Sequence, residues 1–142
     1  MNYNTITTEG YMGHPGYQGE NFRSWNWSEK ELKRLLLQEY KKNGIKASIK
    51  RNRGGWTTSL TITITADKTD FVDYADLYEW EKKYGVQVNH YRAYDDRFTF
   101  KFNQKLNLIY MITRSFNYDN SNCMVDSHDT GFYVGFYVKC KE

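Results

Sequence analysis

The chain has 142 residues, 39% hydrophobic and 26% charged, enough for one ordinary buried core and short for two. No apolar run approaches the roughly 20 residues that cross a bilayer, and the opening MNYNTITTEGYMGHPGYQGENF lacks the charged and apolar regions of a secretory signal, so no membrane association and a cytoplasmic location are expected. The formal charge is only +3, too balanced for a DNA mimic, which would be strongly acidic throughout.

Residues 1–26 are rich in Asn, Gly, Thr and Tyr and show no helical or strand periodicity. They read as an N-terminal arm. Tyr3, Tyr11, Tyr17, Phe22 and Trp25 are too many aromatics for a purely solvated tail, so the arm is expected to wrap its own domain or a partner. Residues 27–142 read as a single α+β domain.

That domain opens on a helix with complete start chemistry. Ser28 can cap it, Glu31 can close a capping box, and Trp27 with Leu32 fits a hydrophobic staple. Leu32, Leu35, Leu36 and Tyr40 form the buried stripe; Lys41 and Lys42 suit the last turn, and Gly44 supplies the stop. Ile45, Ala47 and Ile49 then alternate with Lys46, Ser48 and Lys50, the pattern of a strand with one buried face. The turn Arg51-Asn52-Arg53-Gly54-Gly55 leads into a partner strand over 57–66, with Leu60, Ile62 and Ile64 inward and threonines outward.

The sign of the charge then reverses. Residues 27–66 carry nine Lys and Arg against three Glu, whereas 67–81 carry six acids against one lysine. Asp70 is the expected cap of a second helix burying Val72, Ala75 and Tyr78, with Tyr74 as a further inward candidate, and ending at Gly85. A second hairpin is predicted next, with Val86 and Val88 in one arm, Asp95-Asp96 at the turn, and Phe98, Phe100 and Phe102 in the other. Residues 106–116 read as a third helix, buried through either Leu108, Ile112 and Phe116 or Ile109 and Phe116. The last strand turns Phe132, Val134, Phe136, Val138 and Cys140 one way and Tyr133, Tyr137 and Lys139 the other. The expected class is α+β, an antiparallel sheet covered by helices on one face, in the order α-β-β-α-β-β-α-β after the arm.

The helix ELKRLLLQEY, the hairpin GIKASIKRNRGGWTTSLTITIT and the acidic step TDFVDY together resemble the large polyvalent protein associated domain 29, found in mobile-element and phage-type proteins. The later run YDNSNCMVDSHDTGFYV is similar to another segment of that family, with Asp119, Ser121, Asp126, Phe132 and Tyr133 at matching positions. The resemblance implies a phage or mobile-element setting. It implies no reaction, so no catalytic residue is carried over.

Three groups of residues invite a functional reading. Lys46, Lys50, Arg51 and Arg53 sit on or beside a hairpin tip with Trp56. Cations there can neutralise phosphates while the indole stacks on a base, or the arginines can fork onto a partner's carboxylates. A solvated edge strand guarded by lysines is the plainer reading of the same residues. Asp119, Asn122, Asp126, His128 and Asp129 offer ligands for a divalent cation, but turn formation explains their composition more simply, so no metal or cofactor is assigned. Cys123 and Cys140 form no C-x-x-C pair and read as reduced, structural thiols.

Nucleophile elbows, phosphate-binding glycine loops and zinc-protease motifs are absent from the sequence. The reading is therefore a small non-enzymatic binding protein that engages a host protein or nucleoprotein, in defence or counter-defence, through Tyr11, Tyr17, Trp25, Lys50, Arg51, Arg53 and Trp56. Direct nucleic-acid binding by the basic hairpin is the alternative. Self-association through the opposite charges of the helix-hairpin unit and the acidic stretch is a third.

Overall fold

The computed structural model describes residues 2–11, 14–22, 29–52, 58–119 and 131–141. Helix α1, Glu29–Lys42, buries Leu32, Leu36 and Tyr40, and Gly44 ends it at a φ of 70°, where a side chain would be strained. Its proposed cap Ser28 and staple residue Trp27 lie outside the described residues. Strand β3, Ala47–Arg51, and strand β4, Ser59–Ala66, pair antiparallel, with Leu60, Ile62 and Ile64 fully buried at alternate positions of β4. This half of the fold follows its sequence pattern.

Helix α3, Phe100–Ser115, and α1 pack over the inward face of a four-stranded sheet. The sheet order is β3-β4-β7-β5, where β5 is Val86–Val88 and β7 is Tyr133–Cys140. Ile49, Ile62, Phe136 and Val88 form one buried cross-strand row through all four strands. Burying each such side chain stabilises the fold by about 1.5–3 kcal/mol. The class is α+β. The central pair β4–β7 runs parallel, because residues 67–132 form a long crossover rather than a tight turn.

Within that crossover the chain departs from its sequence pattern. In place of a continuous helix after Asp70 there are two 3-10 turns, Lys68–Asp70 and Tyr74–Asp76, and a short helix α2, Glu79–Tyr84. Val72, Ala75 and Tyr78 are exposed. Aspartates recur at every third position, and Asp67 and Asp73 stand at the N-caps of the two turns, with Asp67 N–H donating to Asp70 Oδ2 at 2.8 Å, so the chain restarts a short turn at each cap instead of propagating one helix. Gly85 does end α2, at a φ of 106°.

The second hairpin also gives way. Phe98 makes only an isolated bridge to Phe71, and Thr99 caps α3, its Oγ1 accepting from Phe102 N–H at 3.2 Å. Phe98 and Phe102 are both buried, one turn apart, while Phe100 is exposed. An alternating Phe-x-Phe-x-Phe run thus brackets the helix start, Phe98 before the cap and Phe102 in the first turn, with their ring centroids 5.1 Å apart. Asp95 and Asp96 do open a turn, Phe98 N–H donating to Asp95 O at 3.2 Å, but it leads into α3 and not into a hairpin arm. Asp95 is buried, its N–H donates to Asn103 Oδ1 at 2.7 Å, and Arg97 donates to both of its carboxylate oxygens, at 3.0 and 2.6 Å. Asn103 Nδ2 in turn donates to the carbonyls of Asp95, Phe98 and Thr99.

The N-terminal arm is regular after all. Strand β1, Thr5–Tyr11, and strand β2, His14–Gly19, form an antiparallel hairpin, and β2 also pairs with β6, Tyr118–Asp119. The hairpin is tied to its own chain: Gly19 N–H donates to Asn117 O and Asn21 N–H to Ser115 O, both at 2.8 Å. Tyr3 donates to the buried carboxylate of Glu39 at 3.0 Å. Phe22 packs edge-on against Tyr118 at 4.7 Å. Neither face of this hairpin carries an apolar row, which is why its sequence shows no strand periodicity.

Candidate functional site

The structure separates the residues of the basic hairpin. Lys50 is exposed on the outward face of β3, whereas Arg51 points to the opposite face and its Nε meets Glu29 Oε2 at 2.5 Å. Arg53, Trp56 and Trp25 lie outside the described residues. Tyr11 occupies the end of β1, opposite His14. Asp119 sits in β6, and Asn122, Asp126, His128 and Asp129 lie outside the described residues. Among the described residues no cluster of three or more His, Cys, Asp or Glu could hold a metal ion. Cys140 is a buried free thiol whose ionisation burial opposes.

Strand pairing gathers a different basic surface. Lys46 O accepts from Thr65 N–H, so Lys46 stands beside Thr65, which pairs with Lys139. Lys50 pairs with Thr61, which pairs with Gly135, and Ser48 pairs with Thr63, which pairs with Tyr137. Tyr133 and Gln87 complete the outward positions of the four strands. Three lysines and two tyrosines therefore share this face, and no carboxylate stands at any of its strand positions.

Around the short strand β5 the chain forms two concave surfaces that meet at His90 and Val134. The inner one, about 120 Å³, is walled by Tyr17, His90, Tyr91, Tyr110 and Phe136, with Arg114 and Asp119 at its polar side. The outer groove runs past Trp80, Gln87, Arg92, Arg97 and Gly135. Tyr17 comes from the arm, Tyr110 and Arg114 from one side of α3, Asp119 from β6 and Phe136 from β7, so four elements build the inner cleft. The Arg114 guanidinium lies 5.7 Å from the Tyr17 ring centroid, and among the described residues it has no ion-pair partner.

Burial sets the protonation of this cleft. It pushes the Tyr17 phenol up to about 12, against the pull of Arg114, and holds the Tyr110 phenol protonated as well. Burial and then the charge of Arg114 lower His90 below the usual imidazole value, so its ring is neutral at pH 7, with one nitrogen donating and one accepting. The His90 ring sits 4.1 Å from that of Tyr91 and 5.5 Å from that of Phe136.

Among the described residues, Tyr17 is the one expected binding residue that lines this cleft. His90, Tyr91, Tyr110 and Arg114 escaped sequence reasoning. The available signal was the i, i+4 pair Tyr110–Arg114, which lies inside the helix expected over 106–116 and marks one of its sides. No helix of the described residues is long and apolar enough to cross a membrane. No family model, curated protein or solved structure matches this chain.

Proposed function

We propose that this is a small non-enzymatic binding protein of the phage or mobile-element type, acting in defence or counter-defence, that engages a host nucleoprotein through its open sheet face. The observation that carries the reading is the carboxylate-free row of Lys46, Lys50 and Lys139 with Tyr133 and Tyr137. Lysines gathered on one face can neutralise the phosphates of a strand lying across it, and tyrosines on the same face offer stacking platforms. Arg51 contributes less than its position in the sequence suggests, because Glu29 already answers its charge.

The test is fluorescence anisotropy of single-stranded DNA and RNA against salt concentration. Binding should weaken with salt, and each of Lys46→Ala, Lys50→Ala and Lys139→Ala should reduce the log–log slope by about 0.7. Absence of binding at low salt, or binding indifferent to salt, would reject the reading.

A second reading has its own observation. Tyr78 and Trp80 stack at 6.0 Å and 7° and are 68% and 58% exposed, beside Arg92 and Arg97 of the outer groove. Exposed aromatics with arginine are the usual anchors of protein interfaces. A partner captured after nuclease treatment and lost with Trp80→Ala would favour a direct host-protein contact.

A further inference from the structure

We infer that the inner cleft between the arm, α3 and β7 is a seat for a single nucleobase, carried by a mononucleotide or by one unstacked residue of a strand. The strand form rests on the nucleoprotein reading above; the mononucleotide form stands apart from it. Three properties of the cleft point the same way.

The first is shape. Its walls are flat rings, and a base is recognised in proteins by stacking on such rings while its edge is hydrogen-bonded. The cleft measures about 120 Å³. Cavities of about 150 Å³ admit one benzene ring, so a single six-membered pyrimidine is the closest match in size.

The second is polarity. A neutral base presents donors and acceptors side by side, and the cleft answers both. Arg114 donates, and His90 donates with one nitrogen and accepts with the other. The main chain of Val134 adds a further pair. Tyr133 N–H donates to Thr58 O at 2.8 Å on the β4 side, so strand alternation turns Val134 N–H and C=O to the other side. There β5 reaches only as far as Phe136, and no strand of the described residues meets Val134. An anion would leave the acceptors unused, and an apolar ligand would leave both kinds unmatched.

The third is position. Tyr133 lines the cleft and also belongs to the lysine face, and the neighbouring row runs Gly135, Thr61, Lys50. Gly135 lines the outer groove, which meets the cleft at Val134, and two strand spacings put Lys50 roughly 10 Å from Gly135 along the sheet.

The experiment is an NMR titration of the full chain, following the His90 imidazole, with UMP, CMP, AMP, GMP and ribose 5-phosphate. UMP and CMP should shift His90 saturably and more tightly than the purines, and ribose 5-phosphate should not. Tyr91→Ala, at a position 75% exposed, and Arg114→Ala should each weaken the pyrimidines about tenfold with an unchanged melting temperature. The Lys46, Lys50 and Lys139 triple alanine variant should keep the mononucleotide response.

A nucleotide response matched by ribose 5-phosphate, or one that survives both cleft substitutions, overturns the inference. So does a His90 shift produced by N-acetyltyrosinamide and by no nucleotide, which would give the cleft to a protein side chain. Lysine-dependent oligonucleotide binding with a silent His90 removes the base seat and leaves the sheet-face reading. Mononucleotide binding without any oligonucleotide binding does the reverse.

Discussion

The unit α1–β3–β4 and the crossover 67–103 are held together by different physics. In the first, apolar residues at regular spacing fill one core over a helix and a ladder of paired strands, so stability comes from burial. In the second, only nine of the residues from 79 to 99 are helical or in a strand, and the chain is fixed by side chains bonding to main chain: Asn103 to three carbonyls and one N–H, Arg97 to Asp95 and to Gln87 O. The functional surfaces divide likewise. The regular half presents Lys46 and Lys50, to which β7 adds Lys139 and the two tyrosines, and the irregular half helps to frame the clefts. Regular burial builds a scaffold, and polar ties allow a chain to turn aromatics outward without losing its path.

The comparison breaks most readily at the core. Ile62→Ala removes a fully buried side chain from the row shared by all four strands, with an expected cost of about 2–5 kcal/mol. Urea denaturation should show it as a lowered midpoint for every probe at once. A change confined to one probe would mean that the two regions unfold independently.

Asn103→Ala should cost about 2–3 kcal/mol, because it leaves a buried N–H and several carbonyls without partners. Its signature is local. Hydrogen exchange should accelerate over 89–99 before it does in β4, and uniform acceleration would remove the distinction drawn between the regions.

Gly19→Ala tests the arm. An added Cβ would collide with Ser115 O and the Arg114 carbonyl, so the hairpin must lift from the end of α3. Amide protection in 14–19 should fall while β3 and β4 keep theirs. Loss of Tyr17 from the cleft should follow, seen as a change in the His90 resonance.

How much of this was legible in the sequence follows the same division. Leu32, Leu36, Ile62 and Phe136 announce their faces because periodicity is a property of each segment alone. Asp95 and Asp96 announce their turn, but the hairpin they imply fails because Asn103 ties Asp95 to the first turns of α3, a contact no local pattern specifies. Phe98, Phe100 and Phe102 fit a strand or the start of a helix equally, and the cap at Thr99 decides between them. The arm fails for another reason: its strands are ordered by pairing with Tyr118–Asp119, a hundred residues away. Among the described residues of the cleft, Tyr17 is the one the sequence marked for binding, since a cleft built from four elements has no spacing of its own.

Acid titration sharpens the contrast at the Asp95–Arg97 pair. Burial alone would raise the Asp95 carboxyl, and the hydrogen bonds from Arg97 outweigh it, so the group lies below its ordinary value. A depressed carboxyl contributes stability that is full above the unfolded value, about 3.9, and is lost as pH falls through the lower folded value. Asp95→Asn should therefore lower stability at neutral pH and flatten the decline below about pH 4.

The smallest effect belongs to the regular half, and its smallness is the point. Arg51 is an exposed cation on a surface ion pair with Glu29, a class worth about 0–1 kcal/mol because water screens it and two long side chains must be held still. Arg51→Ala should shift the urea midpoint little, and less still at high salt. If burial alone holds α1 against β3, strand amides from 47 to 50 will exchange at the original rate in this variant. A loss approaching that of Asn103→Ala would show that the ion pair clamps the start of α1, and that charge as well as burial holds the scaffold half together.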